Sequence, residues 1–171
     1  DGKSLREIVK ENGPMKENEV RELAKQMGTV LEHLHSRIPP VVHRDFTPDN
    51  LILSKDGTLK LIDFNVAQQT DSTTIAKVVG KQAYLPPEQF QGKPVKQSDI
   101  YAMGCTMHFL LTGKDPVPIS QSKPKEIASS ISHEIDKIVS KATSIKLEER
   151  YETSLQIIED LEIEPILSKQ E

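Results

Sequence analysis

Three side chains stand out for what their oxygens could do together. Asp45 and Asn50 bracket a short polar loop, and Asp63 follows eighteen positions after Asp45. Between Asn50 and Asp63 lie apolar runs at 51–53 and 59–62, separated by Asp56-Gly57. Asp-Gly between such runs is a strong hairpin signal. A hairpin there brings Asp63 back beside the loop that it left. Two carboxylates and an amide oxygen then converge. All are hard oxygen ligands, the kind that Mg²⁺ takes beside phosphate oxygens. The plainer alternative makes Asp45 and Asp49 turn-capping residues and Asp63 a charge at a strand end.

The rest of the chain must hold that loop. Residues 4–12 predict a short helix with Leu5, Ile8 and Val9 on one face, ended by Gly13-Pro14. Residues 17 to about 36 predict a longer helix, since Val20, Leu23, Met27, Val30, Leu31 and Leu34 recur at helical spacing. Pro39-Pro40 stops any continuation. Residues 63–97 show little periodicity and read mostly as loop; a loop that long inside a compact domain is usually functional. Residues 98–112 are apolar nearly all round, the mark of a buried helix, with Ser98 or Asp99 as its cap and Gly113 at its end. A polar connection over 114–131 leads to an amphipathic helix over 132–143. A last helix over 153–162 opens on a Thr153-x-x-Gln156 capping box. The expected fold is mainly α, with one small β-hairpin.

The full wording around these residues is more specific. His43-Arg44-Asp45-Phe46-Thr47-Pro48-Asp49-Asn50, followed by Asp63-Phe64-Asn65, resembles the catalytic and metal-binding loops of protein kinases. Residues 80–88, Gly-Lys-Gln-Ala-Tyr-Leu-Pro-Pro-Glu, resemble the end of that family's activation loop. Asp99 with Gly104 resembles the start of its buried central helix, and Arg150 the arginine that pairs with the glutamate of that loop end, here Glu88. Five such features in order make the match specific. The resemblance implies a C-terminal lobe of the serine/threonine type, helical, with the hairpin carrying both loops. Pro48 favours serine/threonine over tyrosine specificity, and the wording is closest in style to bacterial kinases of eukaryotic type.

The resemblance also implies roles. Asp45 would orient the substrate hydroxyl and accept its proton. Asn50 and Asp63 would hold Mg²⁺ beside ATP. Ile52 would form the apolar floor under adenine. His43 and Phe64 match members of the apolar stack linking the lobes, and Asp99 matches its anchor. Arg44 matches the arginine that receives an activation-loop phosphate, with Thr70, Ser72, Thr73 and Thr74 as candidate acceptors. Asp49 is a candidate to meet a basic residue of the substrate. His33, His35, His108 and His133 show no ligand spacing and read as surface or core residues.

Three departures bear on activity. Thr47 stands where the family carries a lysine on the γ-phosphate, and Lys81 stands where it carries a threonine. The two types have exchanged places, so a compensated swap is expected: Lys81 reaches back to the γ-phosphate site and Thr47 supplies the hydroxyl. At about 4 Å and an effective dielectric near 20, such an ammonium is worth roughly 4 kcal/mol before desolvation. Asn65 replaces a glycine, and tolerates positive φ better than most residues. The third departure is that no glycine-rich loop, strand lysine or helix glutamate precedes Asp1. The expectation is an absent N-terminal lobe, weak Mg-ATP binding by this chain alone, and an exposed apolar interlobe surface open to self-association.

Bulk properties agree. The 171 residues suffice for one core, and 36% hydrophobic with 28% charged content suits a globular domain. A net charge of −4 argues against nucleic acid as the main partner. The single cysteine, Cys105, permits no internal disulfide and fits a cytoplasmic setting. No apolar run is long enough to span a membrane. Two other classes compete with a kinase that phosphorylates protein hydroxyls: a pseudokinase or interaction module, favoured by Thr47 and Asn65, and a small-molecule phosphotransferase, disfavoured by residues 80–88.

Overall fold

The computed structural model describes residues 2–63 and 81–163. The elements in order are β1 (Gly2–Ser4), α1 (Leu5–Asn12), α2 (Glu17–His35), β2 (Leu51–Ser54), β3 (Leu59–Leu61), α3 (Pro87–Phe90), α4 (Lys96–Thr112), α5 (His133–Ala142) and α6 (Ser154–Glu162). The expectations on Phe64, Asn65, Thr70, Ser72, Thr73, Thr74 and Gly80 lie outside the described residues.

The hairpin forms as read, with Leu51 opposite Leu61 and Leu53 opposite Leu59. It has a third antiparallel strand, β1, whose Ser4 lies opposite Ile52. Three residues carry no readable period, so the helical pattern over 4–12 hid it. Ser4 ends that strand and caps α1: its Oγ accepts from the Glu7 N–H, and the Glu7 carboxylate accepts from the Ser4 N–H at 2.7 Å.

Helix α4 is the axis of the core. Every residue from Ser98 to Thr112 is buried. α2 and α5 pack against it, and α6 packs against α2 and α5, with Met27, Leu31, Ile135, Val139 and Ile157 filling the contacts. Gly104 is where α4 meets α5: a Cβ there would stand 2.7 Å from Thr143 Cγ2 and 2.8 Å from Ala142 Cβ. Only glycine lets the two backbones come so near.

One boundary differs from expectation. α4 begins at Lys96, so Ser98 and Asp99 lie inside its first turn and neither is its cap. Ser98 Oγ instead reaches back to accept from the Val95 N–H at 3.0 Å. The carboxylate of Asp99 is used elsewhere. The far end behaves as read: Gly113 is left-handed at φ +71° and donates to Phe109 O at 2.7 Å. Ser132 caps α5. Gln156 Oε1 accepts from the Glu152 N–H at 2.9 Å at the start of α6. The connection over 114–131 contains one 3-10 turn, Pro124–Glu126.

Candidate active site

The loop before β2 hangs on a buried carboxylate. Asp99, 1% exposed, accepts from the His43 N–H at 2.8 Å and the Arg44 N–H at 2.9 Å. Arg44 sits at φ +70°, and a left-handed residue lets successive N–H groups face one anion. His35 Nε2 lies 2.8 Å from the same carboxylate. The N-terminal turn of α4 adds its dipole in favour of the negative charge. Phe46, fully buried, plugs the loop into the core, and Thr106 Oγ1 donates to its carbonyl.

Three polar groups gather beyond that anchor. Asn50 Nδ2 donates to Asp45 O and to Asp45 Oδ2, each at 2.9 Å. Both partners are acceptors, so the amide orientation is settled and Asn50 Oδ1 is left for another ligand. The Ile62 N–H donates to Asn50 O at 2.9 Å, and His43 Nε2 lies 3.2 Å from Ile62 O. These contacts bring the end of β3, and Asp63 next along it, beside Asn50. Asp63 is exposed at φ +61°. Among the described residues no cluster of three or more His, Cys, Asp or Glu is found. Mg²⁺ needs none when phosphate oxygens and water complete its shell, and the Asn50 and Asp63 oxygens fit that role.

Lys81 comes to Asp45 from the other side. Its Nζ donates to Asp45 Oδ2 at 2.9 Å, across 36 positions of chain. The Lys81 side chain is 37% exposed and that of Asp45 is 19% exposed. Thr47 is 2% exposed, and its Oγ1 has no hydrogen-bond partner among the described residues. Both line a cleft of about 490 Å³, together with Asp45, Tyr84, Leu85 and Phe90.

With this geometry in place, the likeness to known proteins is decisive. Residues 1–166 match the protein kinase domain family. The chain belongs to that family. Serine/threonine-protein kinase PknA of Nostoc sp. is 33% identical over 178 residues, covering 95% of this chain and 31% of its own length. Serine/threonine-protein kinase PknB of Mycobacterium leprae is 33% identical over 179 residues, covering 94% of this chain and 28% of its own length. The chain thus spans less than a third of these curated relatives. The crystal structure of the Mycobacterium tuberculosis PknI kinase domain aligns with a TM-score of 0.75 at 22% identity, covering 94% of this chain and 62% of that one. That likeness carries the kinase fold.

Two further members of the kinase pattern meet as the motif reading expected. Arg150 Nη1 donates to Glu88 Oε1 at 2.7 Å, with the Arg150 side chain fully buried. Arg150 also donates to Ser144 O and Gln97 O, and lies over the Tyr101 ring. The Arg44 residue is exposed and its carbonyl accepts from Gln89 Nε2 at 2.7 Å. Ile52, on β2 opposite Lys60, is half-buried.

Asp49 has a basic partner within the chain. Its carboxylate already holds a cation from the chain itself: Arg6 Nε donates to Asp49 Oδ2 at 2.9 Å. The same guanidinium donates to Asp115 Oδ1 at 2.9 Å and to Tyr84 Oη at 3.2 Å, and lies 4.5 Å from the Phe109 ring centroid. Motif reading missed Arg6 and Asp115, and quoted Tyr84 without a role. Nothing local marks Arg6, because its partners lie 43, 78 and 109 positions away. His35 was likewise read as ordinary, and it is a partner of the loop anchor.

Proposed function

We propose that the chain is the substrate- and metal-binding part of a serine/threonine protein kinase, which moves the γ-phosphoryl group of ATP to a protein hydroxyl. The observation that carries this reading is the meeting of Asp45, Asn50 and Lys81 on one carboxylate oxygen at the mouth of a cleft. Asp45 takes the proton of the Ser or Thr hydroxyl as the new P–O bond forms and the bond to the ADP oxygen breaks. Asn50 Oδ1 and Asp63 hold Mg²⁺, which neutralises phosphate charge when bound. Lys81 supplies the cation that Thr47 cannot, while the buried Thr47 hydroxyl, without a hydrogen-bond partner among the described residues, is free for its half of the exchange. Ile52 lies under the adenine, Arg44 answers an activation-loop phosphate, and His43, Asp99, Glu88 and Arg150 hold the frame.

A pseudokinase is the second reading, favoured by Thr47 in place of a lysine. These 171 residues alone are expected to bind Mg-ATP poorly, because their sequence holds no glycine-rich loop and no strand lysine for the phosphates. Among the described residues no helix is long and apolar enough to cross a membrane, and we read this part as cytoplasmic.

The test uses the full-length protein with labelled ATP, a generic protein substrate and a small alcohol side by side. Label on Ser or Thr of the protein, absent from the alcohol and abolished by Asp45→Asn, supports the kinase. A folded protein that labels neither supports the pseudokinase.

A further inference from the structure

Lys81 and Asp45 belong to segments with no covalent reason to stay in register. We propose that Arg6 is the positioning residue that sets Lys81 against Asp45, by clamping the loop of the one to the segment of the other. The inference rests on the kinase reading above for its consequence in turnover, and on geometry for its existence.

Arg6 holds the Asp45 loop twice. Its backbone N–H donates to Pro48 O at 3.2 Å, and its Nε donates to Asp49 Oδ2 at 2.9 Å. On the other side it holds Tyr84. Its Nη2 donates to Tyr84 Oη, and Tyr84 Oη donates to Asp115 Oδ1 at 2.6 Å. Tyr84 is 2% exposed, and its N–H donates to Lys81 O at 3.1 Å. One planar fork therefore joins the two segments. A lysine could not replace it, because a point ammonium cannot bind both sides in fixed directions.

The charge states suit the clamp. Burial works against the Arg6 cation, and its bonds to Asp115 and Asp49 outweigh that, holding it firmly charged. Burial, with the bond to Asp115, pushes the Tyr84 phenol well above its ordinary value, so it keeps its proton and donates. Phe109 beneath the guanidinium keeps water from that face.

The test is a double-mutant cycle in the full-length protein: parent, Arg6→Gln, Lys81→Gln and both. Arg6→Gln should lower kcat by about tenfold to a hundredfold, as a misplacement of about 1 Å does, with little change in KM for ATP. In the Lys81→Gln background it should do almost nothing more. Independent, additive losses would overturn the proposal.

A second readout needs no activity. The Asn50 side-chain amide shares Asp45 Oδ2 with Lys81, so its ¹⁵N resonance reports whether Lys81 is there. Lys81→Gln should shift that resonance in the parent and leave it unmoved in Arg6→Gln. An equal shift in both backgrounds would overturn the clamp, even in a protein that transfers no phosphate. Absent turnover with the expected resonance pattern would sink the kinase reading and leave the clamp standing. If Arg6→Gln fails to fold, Tyr84→Phe takes its place in the cycle, with the same two outcomes.

Discussion

The carboxylate of Asp99 and the left-handed backbone of Arg44 fit each other: the N–H groups of His43 and Arg44 both end on Asp99, at 2.8 and 2.9 Å. A backbone conformation that is uncommon outside glycine persists here because a buried anion accepts from it. Each such bond to a charged group is worth about 1.5–3 kcal/mol. Asp99→Ala should therefore cost about 3 kcal/mol or more in folding stability, measured by denaturant unfolding. An Asp99→Ala protein with unchanged stability would mean that the loop is held by something else.

Glu88 and Arg150 form a buried ion pair between the segment bearing Lys81 and the turn before α6. Removing one partner strands the other charge in the core, which costs about 3–5 kcal/mol. Arg150→Met should lower the melting temperature by about 10 °C in a domain of this size. Glu88→Gln should lower it less, since the amide oxygen still accepts. Equal, small losses from both would show the pair to be incidental.

His108 is buried in α4, and neither ring nitrogen has a hydrogen-bond partner among the described residues. Burial pushes its imidazole down to about 4, against a weak upward pull from Asp115 and Asp136. The folded state thus binds this proton less readily than the unfolded chain, where the ordinary value is near 6.5. Its contribution is complete above pH 6.5 and is lost as pH falls from there toward 4, by up to about 3 kcal/mol. His108→Leu should flatten that limb of the stability profile. A profile identical to the parent between pH 6.5 and 4 would show that the ring charges without penalty.

Asn50 and Asp63 are proposed to share the metal. Asp63→Asn should raise the Mg²⁺ concentration for half-maximal turnover by about tenfold or more, in the range seen when metal-site partners are lost. The thermal midpoint should hardly move, because Asp63 is exposed. An unchanged Mg²⁺ titration would remove Asp63 from the metal site.

What the sequence made legible was the part written locally. The 43–50 loop, the hairpin and residues 80–88 are contiguous strings: the hairpin spacing brings Asp45, Asn50 and Asp63 together, and the resemblance to protein kinases adds Lys81. The exchange of residue types at positions 47 and 81 directs Lys81 to the γ-phosphate site; its bond to the Asp45 carboxylate is a finding of the structure. The illegible part was long-range. Local pattern makes Asp99 a helix cap; the resemblance to protein kinases names it an anchor, and packing shows the partners, the N–H groups of a loop 55 and 56 positions away. Nothing in the sequence around Arg6 marks it out on its short helix. β1 was too short to show a period. In each case the deciding partner is distant in sequence, and a local pattern cannot carry it.

The central claim is that Lys81 does the work of the lysine missing at position 47. The most direct measurement is phosphotransfer by the full-length protein carrying Lys81→Thr, and by the double variant Thr47→Lys with Lys81→Thr. The account predicts that Lys81→Thr alone lowers kcat by up to about a thousandfold, the equivalent of roughly 4 kcal/mol. It predicts that adding Thr47→Lys recovers most of that loss. A Lys81→Thr protein that turns over like the parent would contradict it.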